Sequence, residues 1–197
     1  MKNTLLFCTG ASGSGKTYFI QNTLPPGLFY CLRSATTRPM RPGERDGEAY
    51  FFRNEDYFNT TPLATYLWVN QAIWKPETPK WLYGVPETEI FNNLGRNLIY
   101  DVIEPKYVRQ MIDWFNQKGL DAQYAFKIAY FVPSQNNTQI VAQRANMPDD
   151  SIVRTQNKCD IQAFNNVGLV PDYTMCPIND IYDKKLFTHI KRLQKQR

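Results

Sequence analysis

The segment Gly10-Ala11-Ser12-Gly13-Ser14-Gly15-Lys16-Thr17 constrains this chain more than any other. It fits G-x-x-x-x-G-K-[ST], and it stands between an apolar run, Thr4 to Thr9, and a short helical stretch from Lys16 to about Thr23 that Pro25 and Pro26 stop. Glycines let the backbone curl so that successive N–H groups aim at phosphate oxygens, where a larger side chain would block the approach. Lys16 supplies a point charge for the β and γ phosphates of a nucleoside triphosphate. Thr17 places its hydroxyl on Mg2+, the usual companion of such a ligand. A strand feeding a phosphate loop that opens a helix commits the chain to an α/β core.

The remaining pattern agrees with that commitment. Leu28 to Arg33, Asn97 to Val102, Tyr124 to Val132 and Tyr173 to Ile178 read as further strands. Pro105 fits the first turn of a helix, Val108, Met111, Ile112 and Phe115 recur on one side of it, and Gly119 stands where a C-terminal cap belongs. Leu186, Ile190 and Leu193 mark one face of a last helix that ends in Lys and Arg. Strands alternating with helices predict a parallel sheet covered on both faces. Pro39, Pro42, Gly43 and Gly47 interrupt the pattern, and a shift of composition near Ser34 opens an inserted lobe over 34–94, with an aromatic run at Tyr50 to Phe52 and a further stretch at Tyr66 to Ile73. Helical stretches near Ile140 to Ala145 and Asp149 to Asn166, with a charged turn between, predict a lid over 136–166. Residues 1–33, 95–135 and 167–197 then form the core.

At 197 residues, with 43% hydrophobic and 21% charged, the chain can bury a sizeable core, which excludes a disulfide-stapled miniprotein, a rod or wholesale disorder. No apolar run approaches the roughly 20 residues that span a bilayer. Lys and Arg number 23 against 18 Asp and Glu, a bias of +5 that small phosphorylated ligands suffice to explain, so nucleic acid is not the expected partner. Cys8, Cys31, Cys159 and Cys176 are widely spaced without a CxxC pair and read as reduced packing residues. His189 falls inside the last helical pattern and reads as a surface or packing residue. Met1 to Thr9 lacks the length and cleavage site of a signal peptide, so a cytoplasmic location is expected.

A phosphate loop alone does not choose between a hydrolase, a motor and a kinase. The segment Ser34-Ala35-Thr36-Thr37-Arg38-Pro39-Met40-Arg41-Pro42-Gly43-Glu44-Arg45-Asp46-Gly47-Glu48-Ala49-Tyr50-Phe51-Phe52 resembles the guanylate kinase family's S-x-x-T-T-R-x-x-R-x-G-E-x-x-G-x-x-Y-x-F stretch. Tyr83-Gly84, Tyr100-Asp101-Val102, Arg144, Arg154 and Pro177-Ile178-Asn179-Asp180 follow in family order, so the resemblance spans nearly the whole chain. It implies a P-loop kinase core with an inserted monophosphate-binding lobe and a lid, and Mg2+-dependent transfer of the γ phosphate of ATP to GMP or dGMP. By the same resemblance Arg38, Arg41, Tyr50 and Tyr83 clamp the acceptor's phosphate, a task suited to planar guanidinium donors and phenolic hydroxyls. Arg144 and Arg154, one residue closer together than the family's pair, match the lid arginines that neutralise the transferring group. Asp101 matches the first acid at its strand end and would orient the acceptor or a magnesium-bound water. The family's second acid is Ile103 here. Asn179 matches a residue near the donor adenine.

The departure from the family lies at the base. Guanine presents two adjacent donors, which a carboxylate suits, and an O6 that Ser34 can read. The family's guanine-reading Glu falls within Trp68-Val69-Asn70-Gln71-Ala72, on Asn70 in one alignment and on Trp68 in a shifted one, and its Ser or Thr after Tyr-Gly is Val85. Glu77, in a longer connection before Tyr83, could enter the pocket instead. Two further readings follow from these departures. One is a monophosphate kinase for a different or modified base. The other is a non-catalytic module that binds phosphorylated proteins through the lobe, against which the intact Lys16 and Thr17 argue. A kinase acting on nucleic-acid ends would need an aromatic, basic groove besides.

Overall fold

Burial along the first strand sets the architecture. In the computed structural model, which describes residues 2–11, 13–69, 81–132, 161–176 and 182–196, β1 (Asn3–Gly10) is buried from Thr4 onward because both of its faces are covered. It is followed by α1 (Lys16–Tyr18), which runs on as a π-helical turn (Phe19–Thr23), then β2 (Tyr30–Cys31), β3 (Ser34–Thr36), β4 (Tyr50–Phe52), α2 (Glu55–Thr60), β5 (Leu63–Val69) and β6 (Trp81–Pro86). The chain continues through α3 (Glu87–Phe91), β7 (Leu98–Val102), α4 (Pro105–Gln117), β8 (Tyr124–Phe131), α5 (Ile161–Asn165), β9 (Tyr173–Met175) and α6 (Lys184–Gln194).

These strands form two sheets among the described residues. The first has the order β2-β7-β1-β8-β9, and every pairing in it is parallel. The second has the order β4-β3-β6-β5, with β3 and β4 parallel and β6 antiparallel to both β3 and β5. Because side chains alternate along a strand, Leu5 and Phe7 face one side of the first sheet and Leu6 and Cys8 the other. The first set packs with Val108, Met111 and Phe115 of α4 and with Phe164 of α5. The second packs with Phe19 and with Leu186, Ile190 and Leu193 of α6. Burying each such side chain contributes roughly 1.5–3 kcal/mol. The second sheet has its own small centre, in which Ala35, Leu82 and Phe58 of α2 meet.

The parallel sheet covered on both faces agrees with the sequence reading. Several local expectations need correction. The helix after the phosphate loop is α-helical only over Lys16–Tyr18 and π-helical beyond. The strand expected over Leu28 to Arg33 is ordered as a ladder only at Tyr30–Cys31, since Leu28 closes the Pro25–Gly27 turn and Arg33 already turns toward the second sheet. Cys31 is exposed because β2 is an edge strand, whereas Cys8 and Cys176 are buried as expected. Cys159, the stretch Ile140 to Ala145 and most of Asp149 to Asn166 lie outside the described residues. At the end of that last stretch, Phe164 is fully buried in the main core. No helix among the described residues is long and apolar enough to cross a membrane.

The register places the chemistry. Cys8 pairs with Asp101 and Thr9 with Val102, so the loop after β1 and the acid of β7 leave the sheet side by side. In an open parallel sheet the ends of adjacent strands form the crevice where ligands bind.

Candidate active site

The phosphate loop is shaped by what its glycines permit. A Cβ on Gly10 would stand 2.4 Å from the Phe131 carbonyl oxygen, and Gly13 and Gly15 have φ of 78° and 93°, in the left-handed region. Lys16 is 7% exposed. Its Nζ donates to the carbonyls of Gly10 at 2.8 Å and Ala11 at 3.1 Å and lies 3.9 Å from Asp101 Oδ1. Ser14 Oγ is buried without a hydrogen-bond partner among the described residues, a polar atom inside the turn that a phosphate oxygen would satisfy. Thr17 Oγ1 donates to Asp101 Oδ2 at 3.4 Å. Burial pushes the Asp101 carboxyl up, while Lys16 and the Thr17 hydroxyl pull it down. Thr17 and Asp101 thus offer two hard oxygen donors at one place, a set that fits Mg2+, which takes one or two protein oxygens and fills its octahedron with water and phosphate.

The second cluster lies in the second sheet. Arg38 is 4% exposed, an unusual burial for a guanidinium. Its Nη2 donates to both oxygens of Glu44, at 2.8 and 3.0 Å, and its Nη1 to the Pro39 carbonyl at 2.8 Å. The guanidinium carbon lies 5.5 and 5.4 Å from the ring centroids of Tyr50 and Phe52. Glu44 also accepts the Arg41 backbone N–H at 2.7 Å. Burial works against the Glu44 charge, but these donors and the two arginine charges hold its carboxyl below the usual range. Tyr50 and Tyr83 meet edge to face at 5.8 Å because both flank β3, Tyr50 in register with Ser34 and Tyr83 with Thr36. Burial raises both phenols, and the next cause at Tyr50 is Tyr83, followed by Asp101. Asp101 is thus among the groups that push the Tyr50 phenol up, and the Thr65–Tyr100 contact ties the second sheet to the strand that carries Asp101.

Of the residues expected from the sequence, Gly10, Ala11, Gly13, Ser14, Gly15, Lys16, Thr17 and Asp101 come together at the end of the first sheet. Ser34, Arg38, Arg41, Tyr50 and Tyr83 gather in the second. Asp101 bonds Thr17 and neighbours Lys16, on the triphosphate side of the crevice. Ser12, Asn70, Glu77, Arg144, Arg154 and Asn179 lie outside the described residues. Sequence reasoning missed Glu44, which aims Arg38, although its place three residues after Arg41 within the motif was a usable signal. It also missed Thr65 and Tyr100. Their hydroxyls lie 3.2 Å apart, and Thr65 Oγ1 accepts the Val85 N–H at 3.2 Å, so β5 and β7 are tied beside Ser34.

No family model matches the chain. Among curated proteins, a guanylate kinase from Synechococcus sp. (strain ATCC 27144) is 31% identical over 186 residues, covering 89% of this chain and 88% of the relative. A guanylate kinase from Vibrio vulnificus (strain YJ016) is 27% identical, over 94% of this chain and 84% of the relative. Among solved structures, the guanylate kinase from Anaplasma phagocytophilum aligns with a TM-score of 0.47 and 14% identity, over 98% of this chain and 83% of that one.

Proposed function

The chain belongs to the guanylate kinase family, and from that premise we propose that it transfers the γ phosphate of ATP to GMP or dGMP, giving ADP and the nucleoside diphosphate. It is an ATP-dependent nucleoside-monophosphate kinase. The observation that carries the finer reading is the pair of clusters, Lys16, Thr17 and Asp101 at the phosphate loop and Arg38, Tyr50 and Tyr83 in the second sheet, on sheets tied together by Thr65 and Tyr100. In this reading residues 34–94 are the acceptor lobe and 136–166 the lid.

The chemistry asks little of the protein beyond placement and charge. Lys16 exchanges its bonds to the Gly10 and Ala11 carbonyls for phosphate oxygens, and the loop N–H groups and Ser14 hold the same anion. Thr17 and Asp101 would hold Mg2+, which would supply neutralising charge to the phosphate oxygens. Arg38 and Arg41, with the Tyr50 and Tyr83 hydroxyls, bind the acceptor's phosphate and aim one of its oxygens in line with the transferring group. No proton transfer is required of them, which suits phenols whose titration is pushed upward by burial. By the family resemblance, Arg144 and Arg154 would neutralise the transferring group and Asn179 would serve the donor adenine. Closing the crevice excludes water as a competing acceptor.

A second reading, a different or modified base, is favoured by one observation. Val85 is fully buried in the apolar core with its N–H on Thr65, so the position after Tyr83-Gly84 gives the base no hydroxyl. In this reading Ser34 reads O6, and the position of the family's guanine-reading carboxylate falls on Asn70 in one alignment and on Trp68 in the shifted one. ADP formation from Mg-ATP across ribo- and deoxynucleoside monophosphates, with Lys16→Ala as the blank, tests both readings. Turnover with GMP or dGMP above all others supports the first, and turnover with another base supports the second. ATP binding with no turnover on any acceptor contradicts both.

A further inference from the structure

Arg33 and Glu89 stand outside both clusters, yet they join the two chain segments that run between the sheets. Arg33 lies on the short link from β2 to β3, and Glu89 lies in α3, where the chain starts back from β6 to β7. Glu89 is 6% exposed. Its Oε1 accepts the Tyr30 hydroxyl at 2.9 Å, the Arg33 backbone N–H at 3.2 Å and Arg33 Nε at 2.9 Å, and Oε2 lies 3.5 Å from Nη2. Nη2 also meets the Tyr30 hydroxyl. The guanidinium is flanked by the Tyr30 and Phe51 rings, 5.4 and 4.9 Å from their centroids.

The other arm of the fork points elsewhere. Nη1 donates to the Gly47 carbonyl at 2.6 Å, and the Gly47 N–H donates to the Tyr50 carbonyl at 2.8 Å. Gly47 has φ of 80°, a turn conformation that favours glycine, a residue with no side chain to brace the turn. Glu89 is buried and Arg33 part-exposed, so desolvation of the carboxylate offsets much of the pair's attraction, and what the pair fixes is the direction of the guanidinium. Here the direction is set by a carboxylate on the return segment, and it ends on the turn that places Tyr50.

We infer that Arg33, held by Glu89, is a positioning residue that fixes the Gly47–Tyr50 turn and so the spacing of the Arg38, Tyr50 and Tyr83 clamp. This rests on the kinase reading for its substrate and on the contacts above for its geometry. Arg33→Lys tests it, because a single ammonium keeps a cation for Glu89 but cannot fork between that carboxylate and the Gly47 carbonyl. The expected result is a KM for GMP raised about tenfold, with the KM for ATP and the saturated rate within about twofold of wild type. Amide exchange over residues 47–52 should quicken about tenfold without ligand, while the thermal midpoint stays near wild type. Glu89→Gln should shift the same quantities in the same direction by less. An unchanged KM for GMP with unchanged exchange overturns the inference, as does an equal rise in both KM values, which would report general loosening. If wild-type protein phosphorylates no monophosphate, the kinase reading fails, and exchange over 47–52 alone decides: faster in Arg33→Lys supports the inference, unchanged overturns it.

Discussion

At the scale of single residues, the site works by holding cations where the backbone and carboxylates aim them. Lys16 Nζ is anchored by two carbonyls of its own loop. Lys16→Met should lower kcat/KM by about a thousandfold or more, with an unchanged circular-dichroism spectrum, because a charge aimed at the transferring phosphates is lost while the fold keeps its packing. Arg38 is a different case, since its planar fork matches the Glu44 carboxylate and the same geometry matches a phosphate. Arg38→Lys should raise the KM for the acceptor monophosphate by about tenfold or more and leave the KM for ATP within about twofold, a split read from initial rates. The P-loop and the two arginines proposed for the acceptor's phosphate, Arg38 and Arg41, stand out in the sequence because their spacing is local. Glu44's grip on Arg38 is signalled only by its place in the motif and the fork of Arg33 not at all, because a guanidinium does not announce its partner by residue type.

At the scale of elements, the joints carry the predictions. β5 and β6 are paired so closely that a Cβ on Gly84 would stand 2.6 Å from the Thr65 carbonyl oxygen. Gly84→Ala should therefore cost about 1–3 kcal/mol in denaturant unfolding and weaken acceptor binding through the neighbouring Tyr83. His189 ties α6 to β1. Arg192 can only donate to its Nδ1, at 3.1 Å, so Nε2 carries the proton and donates to Thr4 Oγ1 at 3.1 Å. Burial, then the Arg192 and Lys127 charges, hold its pKa below the ordinary 6.5. The neutral form is favoured on folding, so its contribution is full above that value and is lost as pH falls below it toward the folded pKa. Thermal midpoints measured from about pH 7 to pH 5 should fall less steeply in His189→Gln than in wild type. Of the two sequence readings of His189, surface or packing, the structure gives packing, with the side chain buried on the apolar face of α6. The second sheet escaped the sequence reading: β3 and β4 span three residues each, and two paired strands of that length carry no period of their own.

At the scale of the whole molecule, two sheets carry the two clusters, and the Thr65–Tyr100 contact ties one sheet to the other. The parallel sheet is legible from alternating strands and helices, whereas the strand order that puts the phosphate loop beside Asp101 emerges only in the fold. The acceptor cluster is legible only through the family motif, since its residues are polar, local in sequence and without periodicity. The long-range ties, Thr65 with Tyr100 and Arg33 with Glu89, span 35 and 56 positions and emerge only in three dimensions. The most direct test of the central claim follows the phosphate itself. Protein given ATP labelled at the γ phosphate, Mg2+ and GMP should place the label in GDP, one for each ADP formed, with Lys16→Met giving none. Label released instead as inorganic phosphate, at the same rate with and without GMP, would make the crevice a hydrolase site and contradict the account.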